Sequence, residues 1–535
     1  MNNRRPCAGP WKTPTIDAHG NLTVCCHDKQ LLYKLGNLQR SNFDELWYGE
    51  KADELRKKHI LGKFNELGDK NDTANINCAN CSGFESPKIS DAEVISYLNQ
   101  TGQKQLIKRY LDRVCTGWSK IESLLIEVTD MCNLDCIMCR QKDQMMYFHT
   151  AVKSPKSQPG FMTMKLWKSI LDDLLNSNLR VKALTPFWYG EPFMHPKIID
   201  MLKYAFKLNY NKDYDKRLEQ IRATKDKKLL KDFLETYPFN NRVFDYMEIH
   251  TNATLLSKKM LDYLFSKEAS RSLGYLVFSV DALHESTYKR IRRGGDFTKV
   301  INNLKYALKL KSKLLSQPLN KLRKSVRPVI VIQFIVMPEN YKEAEAFVDY
   351  WKTYLDNLGI PCQINAGYEP PFLKDTIFLR VLGDIEPEQQ PEAWRLHEQV
   401  IRNSKYFTAP SKQHEKQEKE YIRRPCAALW KTPVVMWDGS LGVCCYDYKM
   451  QLKLGNINEL KLSWLWNLDT LVERRLIHIK GEFAKLKVCE GCPNLDSPQM
   501  SDVEVVEYLR NIGKQQEILP YLRRVKNYRL LREFV

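Results

Sequence analysis

The stretch Val128-Thr129-Asp130-Met131-Cys132-Asn133-Leu134-Asp135-Cys136-Ile137-Met138-Cys139-Arg140 follows an apolar run at 124–128 and carries three cysteines spaced C-x3-C-x2-C. Three thiolates on one short loop can hold three irons of a four-iron, four-sulfur cubane and leave the fourth iron open to a small molecule. A zinc knuckle and three unrelated buried thiols are the alternatives this spacing leaves.

Downstream of this loop, apolar β-rich runs alternate with longer amphipathic segments, the pattern of parallel strands joined by helical crossovers. Strands are expected at 124–128, 183–188, 246–251, 275–280, 329–337 and 361–366. The class expected is therefore α/β. In parallel barrels ligands gather at the C-terminal ends of strands, and three polar motifs fall there: Trp188-Tyr189-Gly190-Glu191-Pro192, Thr251-Asn252-Ala253-Thr254, and Phe278-Ser279-Val280-Asp281 with Tyr288 and Arg292 behind it. Asn252 suits either a ligand hydrogen bond or a helix cap, and Asp281 either a proton acceptor or, preferably, a helix N-cap. Gln333 and Asn340 on and after the fifth strand are weaker candidates for ligand contacts.

The two ends of the chain repeat one another. Arg4-Arg5-Pro6-Cys7-Ala8 returns as Arg423-Arg424-Pro425-Cys426-Ala427, and Gly20, Cys25-Cys26 and Trp47 return as Gly439, Cys444-Cys445 and Trp466. Farther on, Cys78-x2-Cys81 matches Cys489-x2-Cys492, the change of offset being absorbed in a polar loop near 68–77. Each copy reads C-x12-G-x4-C-C, then C-x2-C. The glycines sit in hairpin-turn sequences that bring the first cysteine beside the second. Four thiolates at these spacings, Cys7, Cys25, Cys78 and Cys81 or Cys426, Cys444, Cys489 and Cys492, suit zinc or a cubane alike. Cys26 and Cys445 are expected to be buried rather than ligands. Outside these sets stand Cys115, expected to pack in a helical linker, and Cys362 in the sixth strand, whose thiol would reach the barrel mouth or be buried and structural.

These motifs together resemble the radical S-adenosylmethionine (radical SAM) enzymes. The resemblance implies a partial (β/α)6 barrel and a 4Fe-4S cluster on Cys132, Cys136 and Cys139. Its open iron would chelate S-adenosyl-L-methionine (SAM), which is cleaved to a 5′-deoxyadenosyl radical that abstracts hydrogen. Gly190 and Glu191 then correspond to the motif that holds the SAM amino group, Asn252 to a strand-end contact, Ser279 to a ribose or carboxylate contact, and Arg292 to the partner of the SAM carboxylate. Met138 and Tyr189 depart from the family pattern. The terminal copies resemble SPASM modules, small cysteine-rich α+β domains that hold auxiliary 4Fe-4S clusters. A copy ahead of the barrel is unusual in that family, and the short cysteine pattern implies one cluster per copy. Cys362 would return a hydrogen atom, as in radical SAM epimerases.

The expected organisation is an N-terminal module at 1–100, a helical linker at 101–120 and a barrel at 121–404 with a helical insertion at about 209–241, read as an active-site lid or a surface decoration. A charged linker at 405–423 leads to the C-terminal module at 424–535. With 535 residues and 43% apolar composition the chain can form several cores. It opens without the apolar segment of a signal peptide, no apolar run is long enough to span a bilayer, and a soluble, cytoplasmic protein is expected. Fifteen cysteines in that setting argue for metal binding rather than disulfides. The charge of +19 suits an acidic electron donor such as flavodoxin or ferredoxin, or an anionic substrate, although much of it lies on Lys-rich solvated helix faces. Nucleic acid is not expected, because no aromatic-basic recognition motif accompanies the charge. The functional expectation is hydrogen abstraction followed by dehydrogenation or epimerisation of a carbohydrate or other small molecule. Maturation of a ribosomal peptide or protein side chain ranks second, and a zinc-stabilised nucleic-acid-binding protein is the reading from another class.

Overall fold

The computed structural model describes residues 4–72, 76–81, 88–140, 160–236, 243–318, 320, 325–367, 374–383, 389–407, 422–490, 492 and 498–532. The loop at 68–77 and the linker at 405–423 lie partly outside these residues. The chain divides into two compact units. One comprises Met1–Trp118, Ser463–Lys480 and Met500–Val535, the other Ser119–Leu462 and Gly481–Gln499, so the division does not follow the sequence boundary at 424.

In the first unit, β1 (Thr15–Ile16), β2 (Asn21–Thr23) and β3 (Gly36–Asn37) form an antiparallel ribbon. Gly20 turns its first hairpin at φ +76°, a conformation that glycine adopts without steric cost. Leu22, Val24 and Leu35 bury the ribbon against Trp47, Ala52 and Leu55 of the following helices. Helix Asp91–Gln100 starts with a capping box, Ser90 with Glu93, and Ser501 with Glu504 starts Asp502–Asn511 in the same way. The duplicated sequence thus repeats its local devices.

The second unit is built on a ten-stranded sheet. Its strands are β4 (Lys120–Ile126), β6 (Arg180–Thr185), β7 (Phe244–Thr251), β8 (Leu273–Ser279), β10 (Val329–Val336), β11 (Cys362–Gly367), β12 (Asp375–Val381), β13 (Val434–Val435), β14 (Ser440–Gly442) and β15 (Gly455–Asn456). Two short segments, β5 (Asp135–Cys136) and β9 (Arg292–Arg293), pair outside it. The order is β11-β12-β10-β8-β7-β6-β4-β13-β14-β15. From β11 to β13 every pairing is parallel. All six expected strands form, shifted by a few residues at their ends. A seventh parallel strand, β12, inserts between β10 and β11, and β13 continues the sheet beyond β4.

Val329–Val336, Val-Ile-Val-Ile-Gln-Phe-Ile-Val, is buried almost throughout, as a strand covered on both faces must be. Ile330, Ile332 and Phe334 share the helix-covered face with Leu276 and Ile377. Val329 and Val331 join Val277 and Phe378 in a separate cluster on the inner face. Among the covering helices, Met164–Asn176 is capped by Thr163 and Phe297–Leu315 by Asp296, each side chain accepting from a first-turn amide.

The insertion is the expected helical pair, Lys212–Ala223 and Lys227–Thr236, packed through Leu218 and Phe233. It leads into the N-terminal end of β7, where the Asn209 amide bonds Phe244 and Val243, and Arg271, just before β8, pairs with Asp215 at 2.6 Å. It therefore sits at the end of the sheet opposite the cysteine loop. Of the lid and decoration readings, this position fits the decoration.

Candidate active site and cluster sites

The cysteine loop leaves the C-terminal end of β4 and is pinned by β5 against β9, Cys136 opposite Arg292 and Asp135 opposite Arg293. Ile137 N–H donates to the Ile291 carbonyl at 3.1 Å. Cys132 lies close enough to Cys136, Cys139 and Glu191 for their charges to act on it, and burial pushes its thiol up to about 12. Such a sulfur ionises when a cation compensates it, as iron does. Asn252 Nδ2 approaches Cys132 Sγ at 3.9 Å and Arg292 Nη1 approaches Cys136 Sγ at 3.6 Å, contacts of the kind that tune cluster sulfurs. The donor set fits a cubane.

Gly190 is fixed by space, because a Cβ there would meet the Thr129 carbonyl oxygen at 2.0 Å. The following amide, Glu191 N–H, donates to Met131 O at 2.9 Å, just before Cys132. The Glu191 carboxylate is buried and accepts from Thr251 Oγ1 and Asn252 N, both at 2.8 Å, and from Phe193 N at 3.2 Å. Burial raises its pKa to about 7 against these three bonds. A buried carboxylate within electrostatic reach of Cys132 fits an ammonium ligand.

Asn252 does not cap the next helix, whose cap is Ser257. Its Oδ1 accepts from Thr254 Oγ1 at 2.6 Å and its Nδ2 donates to Asn133 Oδ1 at 3.0 Å, tying β7 to the cysteine loop. Ser279 ends β8 next to Gln333 of β10 in the register, both buried.

Arg292 is held within the chain by two side chains, Asp281 and Cys136. Its Nε donates to Asp281 Oδ2 at 2.8 Å, and its Nη2 bonds the same oxygen. Burial works against the Arg292 charge, and Asp281 outweighs it, so the guanidinium is held above its ordinary value. Within the chain, the carboxylate that Arg292 pairs is Asp281. Asp281 is not an N-cap either: its Oδ1 accepts from Ile335 N at 2.7 Å, and His284 occupies the cap position of the next helix. Asn340 donates to the Asp281 and Ile335 carbonyls, both at 2.8 Å, which makes it a loop clamp. Cys362 opens β11 at the N-terminal end of the sheet, with Lys352, Asp356 and Asp375 as its charged neighbours. Its half-buried thiol is about a strand length from the mouth, roughly 17 Å at 3.3 Å per residue, so the hydrogen-donor expectation is corrected.

One pair escaped the sequence reading. On the inner face of β7, His250 Nε2 lies 2.5 Å from Glu248 Oε1, and Phe187 packs on the imidazole at 4.7 Å. The i, i+2 spacing on a strand was the available signal.

In each terminal copy the cysteines lie near enough to act on one another electrostatically. Cys25 lies within electrostatic reach of Cys26, Cys7 and Cys81, and Cys78 of Cys25 and Cys7. Cys444 lies in reach of Cys445, Cys426 and Cys492, and Cys489 of Cys426 and Cys492. Backbone amides two residues on donate to Cys7, Cys25 and Cys444, from Gly9 at 3.3 Å, His27 at 3.4 Å and Tyr446 at 3.4 Å. Arg4 Nη1 donates to Cys78 O at 2.9 Å and lies over Phe64, while Arg423 Nη2 donates to Cys489 O at 2.7 Å and lies over Phe483. The repeat displayed both arginines, but only the structure gives them this role. Cys26 is exposed and Cys445 half-buried, contrary to expectation. The Cys445 carbonyl accepts from Trp188 Nε1 at 3.1 Å.

Residues 126–350 match the model of the radical SAM superfamily, and residues 7–82 and 426–493 each match that of the SPASM iron–sulfur cluster-binding domain. The chain is 22% identical over 372 residues, 66% of its own length and 83% of the relative's, to the tungsten-containing aldehyde ferredoxin oxidoreductase cofactor-modifying protein of Pyrococcus furiosus. Among solved structures it is similar to anSMEcpe with bound AdoMet (17% identity, 76% of this chain and 98% of that one, TM-score 0.40). It is also similar to BtrN in complex with AdoMet and 2-DOIA (13%, 70% and 94%, 0.34). Streptococcus suis SuiB bound to S-adenosylmethionine is a third (15%, 71% and 78%, 0.40). The cluster-binding models decide between iron and zinc where cysteine spacing alone did not, and the chain carries a radical SAM domain flanked in sequence by two SPASM domains.

Proposed function

We propose that this chain oxidises a polar small molecule, carbohydrate-like or a cofactor precursor, by removing one hydrogen atom, one proton and one electron in all from an H–C–O–H type unit. When bound, the central cluster and SAM supply the organic radical that takes the hydrogen atom. Glu191 holds the ammonium of SAM, and Gly190 lets that segment lie against the cysteine loop. Ser279, Gln333 and Asn365 line the inner face of the strands and offer hydrogen bonds to hydroxyl groups. His250 accepts the substrate proton at Nδ1, since Glu248 holds its Nε2. Cys426, Cys444, Cys489 and Cys492 would hold the C-terminal auxiliary cluster, which when bound would supply an acceptor for the remaining electron, and the basic chain would suit an acidic low-potential carrier of the flavodoxin or ferredoxin class as reductant.

One observation carries this reading. The C-terminal ribbon is continuous with the barrel sheet, Leu125 N–H donating to Pro433 O at 3.0 Å and Glu127 N–H to Val435 O at 2.7 Å. Trp188, two residues before Gly190, is hydrogen-bonded to Cys445, the neighbour of Cys444. Epimerisation ranks lower because it needs a hydrogen donor at the mouth, and Cys362 lies at the other end of its strand. The Pyrococcus relative is named for modifying a cofactor, which agrees with a small-molecule substrate.

The test is anaerobic reconstitution, an iron count, and turnover of a panel of polyhydroxylated substrates in D2O. About twelve irons per chain are expected for three cubanes, with one oxidised product per 5′-deoxyadenosine. A product that gains solvent deuterium on carbon at an unchanged oxidation level would refute dehydrogenation.

A further inference from the structure

The two ribbons are built alike but end differently. In the C-terminal copy β13 pairs with β14 on one side, Val434 opposite Gly442 and Val435 opposite Leu441, and Met436 N–H donates to Ser440 O at 2.9 Å. Its other side takes β4 in parallel, through the outward carbonyls of Pro433 and Val435. In the N-terminal copy β1 makes the same inner ladder, Thr15 opposite Thr23 and Ile16 opposite Leu22, with Asp17 N–H donating to Asn21 O at 3.1 Å. Alternation along the strand turns the Pro14 carbonyl and the Ile16 amide and carbonyl outward, matching Pro433 and Val435. Among the described residues no strand pairs there, and β1 ends its sheet. Val435 is fully buried, whereas Ile16 is 52% exposed.

We infer that the outer edge of β1 is a docking strand for an extended, acidic segment of a partner polypeptide, which adds in parallel as β4 adds to β13. The repeat itself shows the kind of occupant this edge takes. β4 and the residues after it, Lys-Ile-Glu-Ser-Leu-Leu-Ile-Glu-Val-Thr-Asp from Lys120 to Asp130, combine an apolar run with three carboxylates and one lysine. Charge selects the partner: between Arg4 and Arg40 the N-terminal copy carries six Lys and Arg against two Asp, and with Arg5 paired to Asp91 and Lys12 to Glu93 the excess that remains is Arg4, Lys29, Lys34 and Arg40 over Asp17 and Asp28. A second copy, at +19 each, is repelled. Backbone bonds along an exposed edge supply affinity, and side-chain pockets and charge supply selectivity. This assignment does not depend on which molecule the barrel oxidises.

The probe is a fluorescein-labelled, end-capped peptide of the sequence 120–130, titrated with full-length cluster-loaded protein and followed by anisotropy. Saturable binding is expected, weakened at least about tenfold by Ile16→Pro, which deletes an amide that the inner ladder does not use. Iron content verifies that the variant keeps its module. In the unmodified protein the peptide should slow hydrogen exchange across residues 14–18, a readout that stands even if the variant misfolds. Three results would overturn the inference: no anisotropy change up to about 0.5 mM protein, no protection at 14–18, or a self-associated dimer whose protection maps to Ile16.

Discussion

Glu191→Gln separates the cost of holding this carboxylate from the benefit it gives a cationic ligand. With a native pKa of about 7 against an ordinary 4.5, the folded chain keeps a proton that the unfolded chain has lost at intermediate pH. The neutral acid therefore contributes stability that is complete below about pH 4.5 and lost as pH rises through 7. At 1.36 kcal/mol per unit, the swing is about 3 kcal/mol. Gln carries a constant penalty, because its amide nitrogen faces Thr251 and Asn252 donors, but that offset does not vary with pH. Thermal unfolding of cluster-free protein at pH 5, 6, 7 and 8 should show Glu191→Gln gaining on the parent at each step up to about pH 7.5. Cluster-loaded protein should bind SAM more tightly as pH rises toward 7, by up to about tenfold per unit, then level off. A stability gap independent of pH would refute the reasoning, since the carboxyl would then ionise alike in both states.

Cys132→Ala, Cys136→Ala and Cys139→Ala should each lose about four irons and all 5′-deoxyadenosine formation, while Cys26→Ala and Cys445→Ala keep the full iron count and Cys25→Ala and Cys444→Ala do not; iron analysis checks both. Asp281→Asn leaves buried Arg292 without its counter-charge and should destabilise by about 3–5 kcal/mol in denaturant titration. The left-handed backbone at Asp281, φ +58°, is one that Asn tolerates, so the loss reports the charge. Gly190→Ala forces the Thr129 backbone to move and should cost about 1–3 kcal/mol as well as SAM affinity, measurable by calorimetry. Trp188→Phe should leave SAM cleavage intact and slow product formation, a split visible in the ratio of oxidised product to 5′-deoxyadenosine.

The parallel strands were legible because a strand covered on both faces cannot afford polar alternation, and Val329–Val336 shows this directly. β12 has the same character, Thr376-Ile377-Phe378-Leu379, although no strand is expected there from the sequence. The cluster cysteines were legible from spacing, since ligands on one loop are close by covalent geometry alone. Partnerships across a turn were not: Asp281 reaches Arg292 from eleven residues away because Asp281 takes a left-handed conformation and β9 pairs with the cysteine loop. Strand direction carries the rest. It alone puts Cys362 at the start of β11, and the helical insertion at the start of β7, away from the mouth.

The duplication separates what a cluster needs from what its surroundings need. Around the sulfurs the copies agree in detail: an arginine on the carbonyl of the third cysteine and over a phenylalanine, and an amide donated to the second cysteine. A second, fully buried arginine stands over the tryptophan in each copy, Arg56 over Trp47 and Arg475 over Trp466. A common shell of donors and charges implies similar electronic tuning of the two clusters. Away from the sulfurs they diverge, Pro14-Thr15-Ile16-Asp17 standing where the other copy has Pro433-Val434-Val435-Met436. Two apolar residues in a row at Val434 and Val435 suit a strand buried between neighbours, whereas Thr15 and Asp17 beside Ile16 keep β1 soluble as an edge. A difference in role between the two clusters must then come from what each ribbon faces rather than from how each cluster is held. Exchanging Thr15-Ile16-Asp17 for Val-Val-Met should leave both clusters' spectra unchanged while making the N-terminal edge prone to association, measured by sedimentation; a shifted cluster spectrum would show that ribbon and shell are not separable.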